Sequence, residues 1–404
     1  MNPLQISMDD VKKAREVLSG VARKTPANLG LGRVLQNKGI YLKYENFQLT
    51  GSFKIRGAMN KLNSLTEEER ARGVIAASAG NHAQGVAFGA SKLGIQSTIV
   101  MPMAAPLIKV TATKAYGADV ILHGRYFDEA FQEAKRLADE KGYVFIHPYQ
   151  DPYVIAGQGT IGHEIFEALP QMKSVVIPIG GGGLISGIAY VLKNLNPQIK
   201  IYGVVSDQTP GMMEMKTGEH HVQPQFISTI ADGIAVKNPS KEMFETYINK
   251  YVDDIVAVND NEIAQAIVYC MEVEKVITEG SGAAGLAAVL NGKLDLPDPS
   301  LVLLCGGNID LNTVSSVIEA GLRKQGRLTR ISVIVNDLPG TLAEITNIFA
   351  NERANVLDVI HDRVSPELGL RQTRIDFLLE TMSLEHVANI KKTLREEKIW
   401  ILEK

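Results

Sequence analysis

The chain has 404 residues, of which 45% are hydrophobic and 22% charged, and its formal net charge is −3. This profile is typical of soluble globular proteins with two or three domains, and its charge provides no field that would attract nucleic acid or an anionic membrane. We find no apolar run of about 20 residues and no signal peptide, since acidic residues interrupt the N-terminal pattern. Two cysteines, Cys270 and Cys305, make no disulfide framework, so the sequence predicts a cytoplasmic protein.

The 36 glycines are concentrated in a few short segments. These segments read SAGNHAQG, GQGTIG, GGGGLISG, TEGSGAAG and CGGN. Glycine is useful where the backbone must approach a ligand closely. We therefore expect a site that several loops build around one small molecule.

Short apolar runs alternate with helical patterns from Ile40 onward. The first series has strands at GVIAAS, QSTIVM, ADVILHG and YVFIH, and the second has strands at SVVIPIG, KIYGVVS and SLVLLCGG. Alternation of strands and helices predicts parallel sheets. The sequence thus indicates an α/β fold with two units, the smaller one (about residues 40–150) inserted in the larger.

The C-terminal segment has a different pattern. Strand-like and helix-like runs follow one another as RISVIVND, LPGTLAEITNIFANER, NVLDVIHDRV, LRQTRIDFLLET, SLEHVANIKKTLREE and IWILEK. This β-α-β-β-α-β order predicts a split βαβ unit. A basic and polar segment at 319–327 marks the boundary, so we predict domains at 1–325 and 330–404.

A lysine, Lys54, lies in the otherwise apolar segment LTGSFKIRGA. Ser52 is a plausible helix N-cap, which places Lys54 in the first turn, where the helix dipole opposes a positive charge. Partial burial beside Phe53 also lowers the pKa of the amine. A lysine that is partly neutral is a nucleophile and can form a Schiff base. The alternative is a side chain that extends along a helix face to reach water.

Four consecutive glycines, Gly180, Gly181, Gly182 and Gly183, follow an apolar strand and precede a helical pattern that begins at Leu184. Free N–H groups at a helix N-terminus form an anion site. The segment lacks the GK[ST] ending of a nucleotide P-loop. It therefore predicts a phosphate site, and its apolar flanks argue against a flexible linker.

The segment SAGNHAQG forms another predicted strand-to-helix turn. Asn81 can donate and accept hydrogen bonds, and the N–H groups of the turn can bind a carboxylate. His82 is a candidate ligand group, with a satisfied buried histidine as the equal alternative.

The segment GQGTIG matches a dinucleotide-binding pattern through Gly157, Gly159 and Gly162. That pattern needs a preceding strand and an acidic residue about 20 residues later, and neither is present. We interpret these glycines as helix-packing positions, which leaves a nicotinamide-dependent oxidoreductase as a weak alternative. Cys305 lies at the end of a predicted strand, where its thiol is either a small buried side chain or a weak hydrogen-bond partner for a ligand atom. No metal site is predicted.

Taken together and in this order, SFKIRGA, SAGNHAQG, the tetraglycine segment, IADGIAV, EGSGAAG and CGGNID resemble the threonine/serine dehydratases. These are pyridoxal-phosphate enzymes of the tryptophan-synthase-β type (fold type II), and the resemblance covers about residues 5–325. The tail resembles an ACT domain through NDLPGTLAEI. The combination implies a threonine ammonia-lyase that converts L-threonine to 2-oxobutanoate and L-serine to pyruvate, under the control of an amino-acid effector.

The resemblance also implies roles for individual residues. Lys54 would bind pyridoxal 5'-phosphate covalently and act as the general base. Cys305 departs from the family, since most relatives carry serine opposite the pyridine nitrogen. The remaining implied contacts are Phe53 on the ring, Asn81 at the ring hydroxyl, Gly180, Gly181, Gly182, Gly183 and Leu184 at the phosphate, and Ser78, Ala79, Gly80, Asn81 and His82 at the substrate.

Related activities remain open, among them an L-serine dehydratase and a serine racemase. Racemases of this family carry a serine as second base where this chain has Ala79, and their magnesium-binding acid is replaced here by Val205. A third alternative is an inactive amino-acid sensor, against which the intact Lys54 argues. For the tail we expect a homodimer or homotetramer with an effector site between two subunits, formed by Asn336, Asp337, Gly340 and Asn355.

Overall fold

The computed structural model describes residues 3–219, 229–364 and 368–402. The chain divides into two compact units, Met1–Thr313 and Val314–Lys404. This division falls inside a helix, close to the polar segment at 319–327 where the sequence predicts a boundary. No helix within the described residues has the length and apolar character needed to cross a membrane.

The first unit alternates strands and helices along most of its length. Its strands are β1 (Ala27–Leu29), β2 (Ile40–Tyr44), β3 (Val74–Ala77), β4 (Ser97–Met101), β5 (Asp119–Leu122), β6 (Val144–Phe145), β7 (Ser174–Pro178), β8 (Lys200–Ser206), β9 (Asp254–Val258) and β10 (Ser300–Leu304). Its helices are α1 (Met8–Leu18), α2 (Arg33–Gln36), α3 (Lys54–Asn63), α4 (Glu67–Arg72), α5 (Asn81–Lys92), α6 (Leu107–Ala115), α7 (Phe127–Lys141), α8 (Pro152–Ala168), α9 (Gly183–Leu195), α10 (Gly211–Thr217), α11 (Lys241–Met243), α12 (Asn249–Tyr251), α13 (Asp260–Tyr269) and α14 (Gly280–Leu290). Helix α15 (Leu311–Lys324) begins in this unit and lies mostly in the second.

The strands of this unit form two sheets. The larger has the order β1-β2-β10-β7-β8-β9, parallel except for the edge strand β1. The smaller has the order β5-β4-β3-β6 and is parallel throughout. Strand β2 falls in the range of about 40–150 expected for the smaller subdomain but pairs with β10 in the larger sheet, so the smaller sheet begins only at β3.

The central strands are apolar runs because helices cover both faces of the sheets. Every residue of β3, β4, β7 and β10 is buried, as expected for parallel strands inside an α/β fold. In such sheets, ligands bind at the carboxyl ends of the strands. The segments that follow β3, β6, β7 and β10 are therefore where the site should lie.

Helix α8 contains the whole GQGTIG segment. It begins earlier than predicted, because Asp151 caps it and accepts hydrogen bonds from two backbone N–H groups, with Pro152 as the first helical residue. A Cβ atom on Gly157 would lie 2.6 Å from the carbonyl oxygen of Arg56, so only glycine allows α3 this close. The interpretation as helix packing is confirmed, and the support for an oxidoreductase is lost.

The second unit has the predicted β-α-β-β-α-β order. Its elements are β11 (Leu328–Asn336), α16 (Thr341–Asn351), β12 (Asn355–Asp362), β13 (Gln372–Glu380), α17 (Leu384–Glu396) and β14 (Trp400–Ile401). The strands form an antiparallel sheet of order β12-β13-β11-β14. Its core includes Phe349 and Phe377, whose ring centroids lie 4.9 Å apart in an edge-to-face contact.

Candidate active site

Lys54 is the first residue of helix α3, and Phe53 occupies the N-cap position without a side-chain hydrogen bond. The prediction that Ser52 caps this helix is wrong. Ser52 instead pairs with Gly306 in an isolated β-bridge, and its buried hydroxyl has no hydrogen-bond partner among the described residues. Because Phe53 N–H also donates to the carbonyl oxygen of Cys305 at 3.1 Å, the lysine is held beside the end of β10.

The Lys54 amine has lost most of its contact with water. Burial lowers its pKa to about 8, while the negative charges that Cys305 and Glu279 would carry act in the opposite direction. Nζ donates a hydrogen bond to the carbonyl oxygen of Pro148 at 3.1 Å and lies 5.3 Å from the Phe53 ring centroid. About a tenth of this amine is therefore neutral at pH 7, far more than of an ordinary lysine, and the neutral form is the one that a nucleophile or base requires.

The segment after β6, which includes Pro148, was not predicted as part of the site. His147 Nδ1 accepts hydrogen bonds from the backbone N–H groups of Tyr149 and Gln150, at 3.3 and 2.8 Å. Burial lowers the pKa of His147 to about 4, so the ring is neutral and Nδ1 stays available as an acceptor. This turn fixes the Pro148 carbonyl toward Lys54, and a proline directly after a strand was the signal available in the sequence.

The tetraglycine loop follows β7 and leads into α9. Gly182 has a φ of 94°, and α9 begins at Gly183, so the first N–H groups of a long helix are free to face an anion. A Cβ atom on Gly181 would lie 2.2 Å from the Tyr149 ring, and one on Gly183 would lie 2.8 Å from the Tyr149 Cβ. The loop therefore packs against the residue that follows Pro148, which places it next to the lysine.

The turn at 78–82 connects β3 to α5. The Ser78 hydroxyl accepts a hydrogen bond from Gly80 N–H at 3.1 Å, and Ala79 is partly buried. The His82 ring is buried and its Nε2 donates to the Ile146 carbonyl at 2.9 Å. Burial, with the charge of Lys54, lowers the pKa of His82 to about 3. These contacts favour the alternative of a satisfied, neutral buried histidine.

Asn81 lies between two side chains that the sequence analysis did not single out. Its Nδ2 donates to Glu279 Oε1 at 2.6 Å, and its Oδ1 accepts from Asn308 Nδ2 at 2.7 Å. Glu279 is buried, and burial, followed by the charge of Asp232, raises its pKa to about 8. The site thus contains an acid that is largely protonated near neutral pH.

Cys305 closes the site at the end of β10. The thiol is buried and donates a weak hydrogen bond to the Ser281 carbonyl, with a sulfur–oxygen distance of 3.5 Å. Burial, and then the charge of Glu279, raises the pKa of this thiol far above its ordinary value. Cys305 is therefore a neutral thiol and not a reactive thiolate.

An ion pair connects the two subdomains at the same end of the sheets. Lys109, on α6 of the smaller subdomain, donates to Asp232 Oδ2 at 2.8 Å, and Asp232 is the first residue of the helical turn that ends at Ile234. The backbone of Ile234 in turn approaches Gly180, where a Cβ atom would lie 3.0 Å from the Ile234 Cα. No group of three or more His, Cys, Asp or Glu residues in the described ranges is arranged to hold a metal ion.

The residues proposed for an effector site lie at both ends of the sheet in the second unit. Gly340, with a φ of 98°, caps α16, and Asp337 forms an ion pair with Arg363, with an Oδ2–Nε distance of 2.8 Å. Asn336 pairs with Gln372 and Asn355 with Glu380, at opposite ends of β13. At about 3.4 Å per residue these ends are about 27 Å apart, so Asn336 and Asn355 of one chain do not meet, and a ligand that contacts both would lie between two copies of the domain.

The site fits a pyridoxal-phosphate group. Such a group needs an amine for covalent attachment, an anion cradle for its phosphate and polar partners for its ring. The Lys54 amine, with its lowered pKa, can form the covalent bond. The tetraglycine loop can bind the phosphate, and the Asn81 amide is a polar partner for the ring. In addition, the buried hydroxyls of Ser186 and Ser281, in the first turns of α9 and α14, have no hydrogen-bond partner in the described part of the chain. The fold and site thus define an α/β enzyme that works through a lysine-bound, phosphorylated cofactor.

Comparison with known proteins gives the same assignment. Residues 19–306 match the family described as pyridoxal-phosphate dependent enzyme, and residues 329–398 match the ACT domain. The chain therefore belongs to the family of pyridoxal-phosphate dependent enzymes and has an ACT domain at its C-terminal end.

Individual relatives cover most of the chain. An L-threonine ammonia-lyase of Thermotoga maritima is 49% identical over 393 residues, which are 96% of this chain and 97% of the relative. An L-threonine ammonia-lyase of Geobacter sulfurreducens is 46% identical and covers 87% of both chains. Among solved structures, threonine deaminase isoform 2 of Solanum lycopersicum has a TM-score of 0.71 at 36% identity and covers 79% of this chain and 90% of its own. Maize serine racemase has a TM-score of 0.72 at 33% identity, with 79% and 98% covered.

Proposed function

We propose that the protein is an L-threonine ammonia-lyase, which converts L-threonine to 2-oxobutanoate and ammonia and L-serine to pyruvate and ammonia. The observation that supports this most directly is the desolvated Lys54 amine, held by Pro148 beside a helix-capping glycine loop. The relatives named L-threonine ammonia-lyase, at 46% and 49% identity over most of the chain, point to the same reaction.

The residues that would hold the cofactor surround the lysine. Lys54 would attach it, the N–H groups of the tetraglycine loop and Leu184 would bind its phosphate, Asn81 would bond its ring hydroxyl, and Phe53 would pack on the ring. When bound, pyridoxal phosphate supplies the electron sink that makes the α-proton of an amino acid acidic.

The protein's own residues then direct the elimination. The N–H groups of the turn at 78–82, next to the N-terminus of α5, bind the substrate carboxylate. Lys54, with a pKa of about 8, takes the α-proton on Nζ as a general base. The β-hydroxyl leaves with a proton as water, and a later addition of water at the α-carbon releases ammonia and the 2-oxo acid.

Cys305 supports elimination over transamination in this proposal. A neutral thiol is a weak hydrogen-bond donor and, unlike a carboxylate, does not hold a pyridine nitrogen protonated. An unprotonated ring withdraws electrons less strongly, and this suits elimination of a β-hydroxyl better than transamination.

Serine racemase is the second activity to consider, because the maize enzyme is a structural neighbour. Racemisation needs a proton donor on the face of the α-carbon opposite the lysine. Ala79, at the position of the second base in those relatives, has no exchangeable proton. We therefore favour dehydration without racemisation.

The experiment that tests the main proposal is an assay of 2-oxo acid release. The purified protein, loaded with pyridoxal phosphate, should release 2-oxobutanoate from L-threonine and pyruvate from L-serine, and the Lys54→Ala variant should release neither. Release of neither product by the wild type would reject the proposal.

We further propose that the ACT domain binds a branched-chain amino acid, with isoleucine as the first choice, and shifts catalysis in the other unit. The N–H groups of α16 after Gly340 offer a site for the ligand carboxylate. The edge strand β12 exposes the apolar side chains of Leu357, Val359 and Ile360, which suits pairing with a second copy in a homodimer or homotetramer.

A further inference from the structure

A chain of side-chain hydrogen bonds passes through the candidate active site. Asn308 Nδ2 donates to the Thr50 carbonyl at 2.7 Å and to Asn81 Oδ1 at 2.7 Å. Asn81 Nδ2 then donates to Glu279 Oε1 at 2.6 Å. The four residues come from four separate sequence segments, LTGS, CGGN, SAGN and EGSG, so the fold brings these segments together at one amide group.

The direction of each bond in this chain is fixed by chemistry. A backbone carbonyl can only accept, so the side of Asn308 that faces Thr50 must be its nitrogen. The same nitrogen faces Asn81, so the atom it meets there must be the oxygen Oδ1. Asn81 Nδ2 is therefore the atom that faces Glu279, and a reversed amide would set two donors against each other at Asn308.

Two glycines leave room for the partners of Asn81. A Cβ atom on Gly51, which has a φ of 74°, would lie 2.3 Å from Asn308 Oδ1. A Cβ atom on Gly306 would lie 2.3 Å from Glu279 Oε1. Both contacts are far too short for any larger residue, so the backbone packs tightly against both partners and restricts how they move.

The surroundings of Glu279 keep its Oε1 an acceptor. Asp232, Lys109, Lys54 and Cys305 are the titratable groups near this carboxyl. Burial and the charge of Asp232 raise its pKa, whereas the Asn81 bond and the two lysines lower it. Whether the carboxyl is ionised or has its proton on the other oxygen, Oε1 accepts the bond from Asn81.

We propose that Asn308 and Glu279 are positioning residues for Asn81. They orient its amide so that the nitrogen, with the N–H group that does not bond Glu279, faces the ring oxygen of the cofactor. This inference depends on the proposed function, in which Asn81 bonds that oxygen. Hydrogen bonding to the ionised form of an acid favours that form. An amide held the other way would present its carbonyl oxygen, which repels an ionised ring oxygen.

The test compares three variants with the wild type, each loaded with pyridoxal phosphate. Asn308→Ala removes one support, Glu279→Leu removes the other with a side chain of similar size, and Asn308→Asp replaces a donor by an acceptor. Asn46→Ala is the matched control, because Asn46 is buried near the same loop and donates to the Ile277 carbonyl outside this chain of bonds. The readouts are the dissociation constant of pyridoxal phosphate and the pH midpoint of the cofactor's absorbance change.

Loss of one hydrogen bond to the ring oxygen should weaken cofactor binding about tenfold and move the absorbance midpoint to higher pH by about one unit. Asn308→Asp should give the largest upward shift, since Asn81 must then turn its oxygen toward the cofactor. Asn46→Ala should lower the melting temperature without a change in either readout. A merely structural role of Asn308 would lower the melting temperature in the same way and leave the midpoint in place.

Two results would overturn the inference, and they are distinguishable. If borohydride reduction labels Lys54 in every variant and all midpoints and dissociation constants match the wild type, Asn308 and Glu279 have no positioning role while the proposed function stands. If the wild type itself shows no label on Lys54, the cofactor site and this inference both fail.

Discussion

The Lys54 amine lies 3.1 Å from the carbonyl oxygen of Pro148, on the turn that His147 stabilises after strand β6. Pro148 lies in the segment that follows β6, a strand of the smaller subdomain's sheet. The next residue, Tyr149, packs against the tetraglycine loop of the larger subdomain. A single turn therefore brings the amine of one segment and the anion cradle of another to the same place.

The pH dependence of cofactor attachment follows from the Lys54 pKa. Only the neutral amine attacks an aldehyde, and burial lowers this pKa from an ordinary value of about 10.4 to about 8. The rate at which cofactor-free protein incorporates pyridoxal phosphate should thus rise with pH and level off above about pH 8. Stopped-flow absorbance across the pH range measures this rate. A rise that continues to about pH 10 would mean that the amine is not desolvated.

The site of attachment is a separate prediction. Borohydride reduction followed by peptide mapping should place the label on Lys54, and Lys54→Ala should lose the label together with activity. Lys61 is a matched control, since it lies two helical turns along α3 and pairs with Asp151 at 2.9 Å. Lys61→Ala should keep the label, and a label on any other lysine would contradict the assignment.

The main elements of the fold were predictable because their signals are local. Apolar runs bounded by glycine predicted β3, β4, β7 and β10, and the alternation with helices predicted parallel sheets. The strands β1 and β9 were missed because they lie at the two edges of the larger sheet and are only partly buried or exposed, so they lack the signal of a buried strand. The pairing of β2 with β10 was also not visible in the sequence, because strand pairing is a tertiary property.

The site was predictable only in part, for the same reason. Lys54, Asn81 and the tetraglycine loop lie next to turn signals that the sequence displays. Glu279, in contrast, is an ordinary acid in the sequence, and only the fold buries it against Asn81. The positions of Asn336 and Asn355 were equally hidden, because only the strand register shows that they pair with opposite ends of β13.

Stability should depend strongly on Arg56, a residue of α3 whose side chain belongs to a buried ionic network. Its guanidinium binds Glu45 and Glu164 at 2.8 and 2.6 Å, and its side chain is only 1% exposed. Removing one member of a buried ion pair leaves uncompensated charge, so Arg56→Met should lower the free energy of unfolding by about 3–5 kcal/mol. Denaturant unfolding measures this value. Arg136→Ala is the control, because Arg136 pairs with Glu133 on the surface and its loss should not change the unfolding midpoint measurably.

The role of the Cys305 thiol is testable by two substitutions. Cys305→Ser should leave threonine dehydration largely intact, because a hydroxyl is again a neutral partner for the ring nitrogen. Cys305→Asp should reduce kcat by about tenfold or more, since a carboxylate would hold that nitrogen protonated. Steady-state kinetics with L-threonine decide the matter, and equal activity of the aspartate variant would refute the explanation of the thiol.

Stereochemistry is a further test. Because we propose that Ala79 lies at the face opposite Lys54, serine recovered from a partial reaction should be entirely the L form by chiral chromatography. Ala79→Ser introduces an exchangeable proton at that position and should produce some D-serine. Appreciable D-serine from the wild type would show that another residue supplies the second proton.

The last prediction concerns the ACT domain. Gly340 adopts a left-handed φ of 98° with open space where a Cβ would lie, and the first turn of the helix after it has N–H groups without partners inside the helix. A β-branched residue tolerates this φ poorly and would place methyl groups beside those N–H groups. Gly340→Val should therefore weaken isoleucine binding to the full-length protein about tenfold or more, as measured by calorimetry.

Coupling between this site and catalysis should appear in both directions. Effector coupling is typically about 1–3 kcal/mol and is reciprocal for binding, so isoleucine should change the apparent affinity for threonine, and threonine that for isoleucine. Gly292→Val is the control, because Gly292 has a similar left-handed φ of 65° and open surroundings in a turn of the first unit. It should leave isoleucine binding unchanged. If isoleucine, valine, threonine and serine all fail to bind at millimolar concentration outside the catalytic site, and removal of residues 330–404 leaves the rate curve unchanged, the domain does not regulate the enzyme.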